Sequence, residues 1–218
     1  MDFANIFFDV NGNFQWASIA AFVAFFGSII SAWISVHNTK KSLKGNVVAK
    51  ARIEWIQEVR KKSVDFISAC YSLFEFIKSD SATSDEAEVS KLKNEIEKNG
   101  TLLILYFGPD SNKNNDFILY LVSNLLSRIT NKDGYYDDNK IPELIDQVNV
   151  LKDFLRIYFK TEWKRANGEI KDIDVQSYLE EQDLYNTIMD IFSSGFEMHW
   201  EWTENYYFQL SKKYKEEN

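Results

Sequence analysis

WASIAAFVAFFGSIISAWISV, residues 16–36, decides how this chain is organised. It holds no Asp, Glu, Lys or Arg, and neither does the wider stretch from Val10 to Thr39. A helix rises about 1.5 Å per residue, so roughly 20 such residues cross the hydrocarbon core of a bilayer. Phe14 and Trp16 stand at one end and Trp33 near the other, where amphipathic rings prefer the interface. A cleaved signal peptide requires a basic leader, but MDFANIFFDV carries Asp2 and Asp9 and no Lys or Arg. The expected organisation is a short leader (1–14), a transmembrane helix (15–37), a basic juxtamembrane segment (38–62) and an acidic helical domain (63–218).

The flanks set the expected orientation. Lys40, Lys41, Lys44, Lys50 and Arg52 follow the span, and no basic residue precedes it. Basic residues are retained on the cytoplasmic side, so the leader is expected in the periplasm and the bulk of the chain in the cytoplasm of a bacterial inner membrane. Lys40, Lys41, Lys44, Arg52, Trp55 and Arg60 form the expected membrane-surface set. Residues 40–62 carry a net charge of +6 and residues 63–218 one of −12. The basic collar suits anionic headgroups. The acidic remainder repels phosphate, so no direct nucleic-acid binding is expected.

One stripe of the span contains only small side chains. Ala17, Ala21, Ala24, Ser28, Ser31 and Ser35 recur at alternating steps of four and three, while the bulky rings and isoleucines lie mainly elsewhere. Lipid supplies no hydrophobic drive for helix pairing, and small residues permit the close backbone approach on which pairing then depends. A homo-oligomer built on this seam is expected.

Beyond the membrane the periodicity is helical throughout. Ile53, Ile56, Val59, Ser63, Phe66, Ile67, Cys70, Phe74 and Ile77 mark the buried stripe of a first helix. Thr83 with Glu86 reads as a capping box for a second helix, which Gly108 and Pro109 stop. A third spans about 113–130, and NKDGYYDDN is a loop by composition. Pro142 opens a fourth, with Leu144, Ile145, Val148, Leu151, Leu155 and Tyr158 inward, ending near Gly168. A fifth begins near Val175 with Tyr178, Leu184, Ile188 and Phe192 on its stripe, and Gly195 is a point where it kinks or divides. The fold class is all-α: one transmembrane helix followed by a cytoplasmic bundle of about five helices.

Catalytic patterns are sparse. The two histidines, His37 and His199, stand apart, and Glu197, His199 and Glu201 alternate at a spacing that points them in different directions on a helix. There is no glycine-rich phosphate loop and no pair of cysteines. The Arg-x4-His pair of helical ribonucleases is absent, since Arg52, Arg60, Arg128, Arg156 and Arg165 lead to Gln57, Asp65, Asp133, Thr161 and Ile170. No enzymatic activity, cofactor or metal is expected. The lone Cys70, on an apolar stripe, reads as a buried hydrophobe. Trp200, Trp202, Tyr206 and Tyr207 read first as packing residues, with a ligand cage or a partner groove as the alternative.

RIEWIQEVR (52–60), LLILYFGPDSNKNNDFILYLV (102–122) and LKDFLRIYFKTEWKRANGEI (151–170) resemble, in order, a recurrent group of bacterial membrane-anchored helical proteins. The resemblance covers roughly residues 15–168. By layout alone the chain is also similar to the membrane-pore accessory protein of RNA-targeting CRISPR systems. What these resemblances imply is an antiviral-defence effector that self-associates and perturbs the inner membrane when triggered. The alternative is a non-enzymatic anchor or receptor that presents a helical platform to a cytoplasmic protein partner.

Overall fold

The computed structural model describes Phe8 and residues 16–79, 86–130 and 140–216. Its elements are α1 (Trp16–Lys78), α2 (Glu86–Ile104), α3 (Asn114–Thr130), α4 (Lys140–Ala166), a 3-10 turn (Asp172–Asp174), α5 (Val175–Glu180) and α6 (Asp183–Glu216). The chain is therefore all-α, with a helical bundle and one N-terminal apolar helix. The proposed capping residue Thr83, the segment NKDGYYDDN and the leader apart from Phe8 lie outside the described residues.

The chain divides into two compact units, the first ending at Ala51 and the second beginning at Arg52. In the first unit, Ile19–Thr39 is a helical segment of 21 residues, long and apolar enough to cross a membrane, with none of it buried. Phe22, Val23, Phe25, Phe26, Ile29, Ile30 and Trp33 are all exposed there. Phe22 and Phe26 pack ring to ring at 4.5 Å, one helical turn apart.

The second unit is a bundle with a continuous core. Ile56, Val59, Phe66, Cys70 and Phe74 of α1 are buried, and Ile53, Ile67 and Ile77 pack against them from the margin. The stripe read from sequence is thus the core face of this part of α1. Helices α2 and α3 pack closely where Gly100 lies. A Cβ there would stand 2.7 Å from Leu126 Cδ2 and 2.9 Å from Phe66 Cε2, so any larger residue would force these side chains to shift. The α2–α3 connection turns at Gly108 and Pro109, and Lys113 adopts φ of 58° just before α3.

Helix α4 ends in a Schellman turn: Glu169 N–H donates to the Lys164 carbonyl at 2.9 Å and Gly168 N–H to that of Arg165 at 3.2 Å. Gly168, at φ of 74°, supplies the left-handed residue the turn requires. Besides the inward positions read from sequence, α4 buries Phe154, Ile157 and Phe159.

The fifth helix departs from expectation. It breaks between Glu180 and Asp183, and α6 then passes through Gly195 undivided. The Asn186 amide donates to the Glu180 carbonyl at 2.7 Å and closes the corner. The break resets the helical phase, so Tyr185 is buried and Leu184 is exposed. Gly195 instead provides close contact: a Cβ there would collide with the Tyr120 hydroxyl.

Candidate functional site

Arg52, Trp55 and Arg60 lie on successive turns of α1 at the start of the bundle. Each is held by residues far away in sequence. The indole N–H of Trp55 donates to the Tyr106 carbonyl at 3.1 Å, and its ring meets Phe107 edge-on at 5.9 Å. Phe107 in turn contacts Tyr158 at 6.2 Å. The Tyr106 carbonyl lies in the turn that follows α2, and Trp55 caps it.

Arg52 approaches the Asp172 carboxylate at 3.6 Å, and Arg165 binds the same oxygen at 2.6 Å. Arg165 also reaches Glu162 at 3.2 Å, and Glu162 is buried. The Arg165 hydrogen bond holds the Asp172 carboxyl below the usual carboxylate range. Burial works against the Arg165 charge, but the bonds to Asp172 and Glu162 outweigh it and raise its pKa. Asp172 itself is largely exposed, so this bridge stabilises modestly.

The Arg60 guanidinium lies 5.6 Å from the Phe159 ring centre and 6.0 Å from that of Trp163. Such cation–π contacts contribute roughly 0.5–1 kcal/mol at exposed positions. Along α1 the ionic contact of Arg52 with Asp172 comes first, Trp55 follows, and the contact of Arg60 with Phe159 and Trp163 comes last. Sequence reasoning singled out Arg52, Trp55 and Arg60 but missed Phe107, Phe159, Trp163 and Asp172. The periodicity of each helix was readable, but not which helices meet.

A partly buried set of polar side chains braces the α2–α3 turn. The Tyr158 hydroxyl donates to Asn115 Oδ1 at 2.6 Å, and the Asn115 amide donates to the Gly108 carbonyl at 2.6 Å. The Tyr185 hydroxyl donates to Asn114 Oδ1 at 2.8 Å, while the Asn114 amide donates to Gln176 Oε1 at 2.9 Å. Burial raises the Tyr158 and Tyr185 hydroxyls above the usual phenol range, so they stay protonated donors. Burial also raises the Asp110 carboxyl, although Asn115 N–H donates to it.

The other sequence-read residues divide into two groups. Ala21, Ala24, Ser28, Ser31 and Ser35 are exposed on the apolar helix, and the Ser28 hydroxyl donates to its own Phe25 carbonyl at 2.7 Å. The side chains of Ala17, Lys40, Lys41 and Lys44 lie outside the described residues. His199 packs its ring 5.4 Å from that of Tyr120. Among the described residues no three His, Cys, Asp or Glu side chains converge as metal ligands would. Cys70 is buried, and burial pushes its thiol up to about 12, so it provides no thiolate near neutrality. An open hollow of about 280 Å³ is lined by Arg156 and Lys160 of α4 and by Tyr178, Glu181 and Asp183 around the α5–α6 corner, a mixture of both charges.

No protein-family model, curated protein or solved structure matches the chain.

Proposed function

We propose that this chain is a membrane-anchored, self-associating helical protein that perturbs the bacterial inner membrane as an antiviral-defence effector, its larger unit lying in the cytoplasm. The observation that carries the membrane part is the wholly unburied apolar segment Ile19–Thr39. A run of exposed Phe, Ile, Val and Trp is costly in water, at about 25 cal/mol per Å² of apolar surface, and lipid removes that cost. The basic residues after the segment support a cytoplasmic bundle. The small-residue seam supports self-association, and the resemblance in layout to a defence-linked pore accessory protein supports the antiviral role.

The competing reading is a passive anchor that presents the bundle to a cytoplasmic partner. It is favoured by the completeness of the bundle, whose core is closed and whose Arg52, Trp55 and Arg60 are already engaged. Inducible expression with a membrane-potential dye and phage challenge separates the two. The effector reading expects depolarisation and protection, both lost in Ala24→Leu and Ser28→Leu and both retained in Val23→Leu and Ile30→Phe. Unchanged potential and no protection leave the anchor reading. A cytoplasm-only reporter at the C-terminus tests orientation, and an inactive fusion beside an active periplasmic one overturns it.

A further inference from the structure

Helix α6 carries two separate apolar lines. Tyr185, Ile188 and Phe196 are buried against the bundle. Leu184, Ile191 and Met198 stand apart from them and are 37, 66 and 66 % exposed. These three recur at steps of seven, and Thr187, Ser194 and Glu201, also exposed, fall three residues after each. Those are the a and d positions of a helix that pairs with another helix. The Thr187 hydroxyl donates to the Asp183 carbonyl at 2.9 Å, so it is satisfied within α6 and needs no partner. The small Thr187 and Ser194 between Leu184, Ile191 and Met198 leave room for a second helix to approach closely.

The two edges of this face differ. One edge meets the bundle, where Ile188 is buried and Gly195 lies against Tyr120. The other carries Asp183, Asp190, Glu197 and Glu204, all exposed and seven residues apart. They are the g positions, about 70° around the helix from the midline of the face. No Lys or Arg occurs from Asp183 to Ser211, so nothing on α6 offsets this acidic edge. Charges at such flanks select the partner of a paired helix. We propose that this face docks a helix of a partner protein whose own stripe is apolar and whose flanks carry Lys or Arg. A second copy does not fit. An antiparallel pair sets acidic edge against acidic edge, and a parallel pair sets it against Ile188 and Gly195, which hold no charge. The same edge repels anionic lipid headgroups. The face lies wholly within the second unit and depends neither on the membrane reading nor on the small-residue seam.

The test uses the full-length chain in nanodiscs of zwitterionic lipid, with Ser194→benzoylphenylalanine as a photocrosslinker in the middle of the face. The probe is a synthetic helical peptide of three heptads with Leu at a and d and Lys at e and g, run beside its Glu counterpart. Linking requires proximity to residue 194, so peptide that only binds lipid is not counted. The Lys peptide is expected to link about tenfold more than the Glu peptide. Asp190→Lys with Glu197→Lys should invert that preference. Ile191→Ser with Met198→Ser should lower linking of the Lys peptide about tenfold. All four residues are exposed, so the bundle stays folded in both pairs of variants. Equal linking of the two peptides, linking of neither, a preference that survives charge reversal, or links undiminished by the serine pair overturns the proposal. So do links between two copies of the chain, and so does quenching of a dye on Ser194→Cys by lipid-borne quenchers, which would make the bilayer the occupant.

Discussion

Trp55 and Tyr106 are 51 residues apart in sequence, yet the Trp55 indole N–H donates to the Tyr106 carbonyl at 3.1 Å. This bond ties the first helix of the bundle to the turn that follows the second. Trp55→Phe keeps most of the ring packing and leaves the carbonyl unpaired, at an expected cost of about 1 kcal/mol. Trp55→Ala also removes the contact with Phe107 and should cost about 3 kcal/mol. Denaturant melts of the two variants in detergent micelles check both the direction and the order.

The Asn114–Tyr185 pair is buried at 2.8 Å, so each partner depends on the other. Asn114→Ala removes the acceptor of the Tyr185 hydroxyl and the donor to Gln176 Oε1, leaving only the Gln176 amide on the Tyr185 oxygen at 3.2 Å, and should destabilise by about 2 kcal/mol. Tyr185→Phe should cost less, because Asn114 keeps its bond to Gln176. A double-mutant cycle should show coupling of about 1 kcal/mol, and strict additivity would remove the network from the account.

Gly195 tests whether α6 needs flexibility or closeness. Gly195→Ala improves helix propensity by about 1 kcal/mol yet drives a methyl into the Tyr120 hydroxyl. The collision should win, with a net loss of about 1–2 kcal/mol. Tyr120→Phe in the same chain removes the colliding oxygen and should recover much of it. If Gly195→Ala stabilises alone, the contact has been misjudged.

Cys70 makes a pH prediction. Its folded thiol is pushed up to about 12, above an ordinary value near 9. A group whose folded pKa is raised keeps its proton longer in the folded state, so its contribution to stability is present below pH 9 and is lost as pH rises from 9 towards 12. Cys70→Ala should flatten that alkaline fall. At pH 8 iodoacetamide should label Cys70 only as fast as the bundle opens, and labelling at the rate of a free thiol would show the site to be accessible.

The sequence by itself determined the apolar segment, the helical class and most core faces, because all three follow from local spacing. A charge-free run of 21 residues is recognised without knowing its neighbours. The buried line from Ile56 to Phe74 needs only the 3.6-residue period. Arg52, Trp55 and Arg60 could be singled out as a cluster near the collar. Their partners could not, since Asp172, Tyr106, Phe159 and Trp163 reach them only when α4 and the α2–α3 turn fold back onto α1. The break before Asp183 was hidden for a similar reason: no Pro or Gly marks it, and the Asn186-to-Glu180 bond closes it. Gly195 carried a visible signal whose meaning, kink or contact, depended on Tyr120 of another helix. Trp202, Tyr206 and Tyr207 of α6 looked like core by composition, and only the tertiary structure showed their side chains to be exposed.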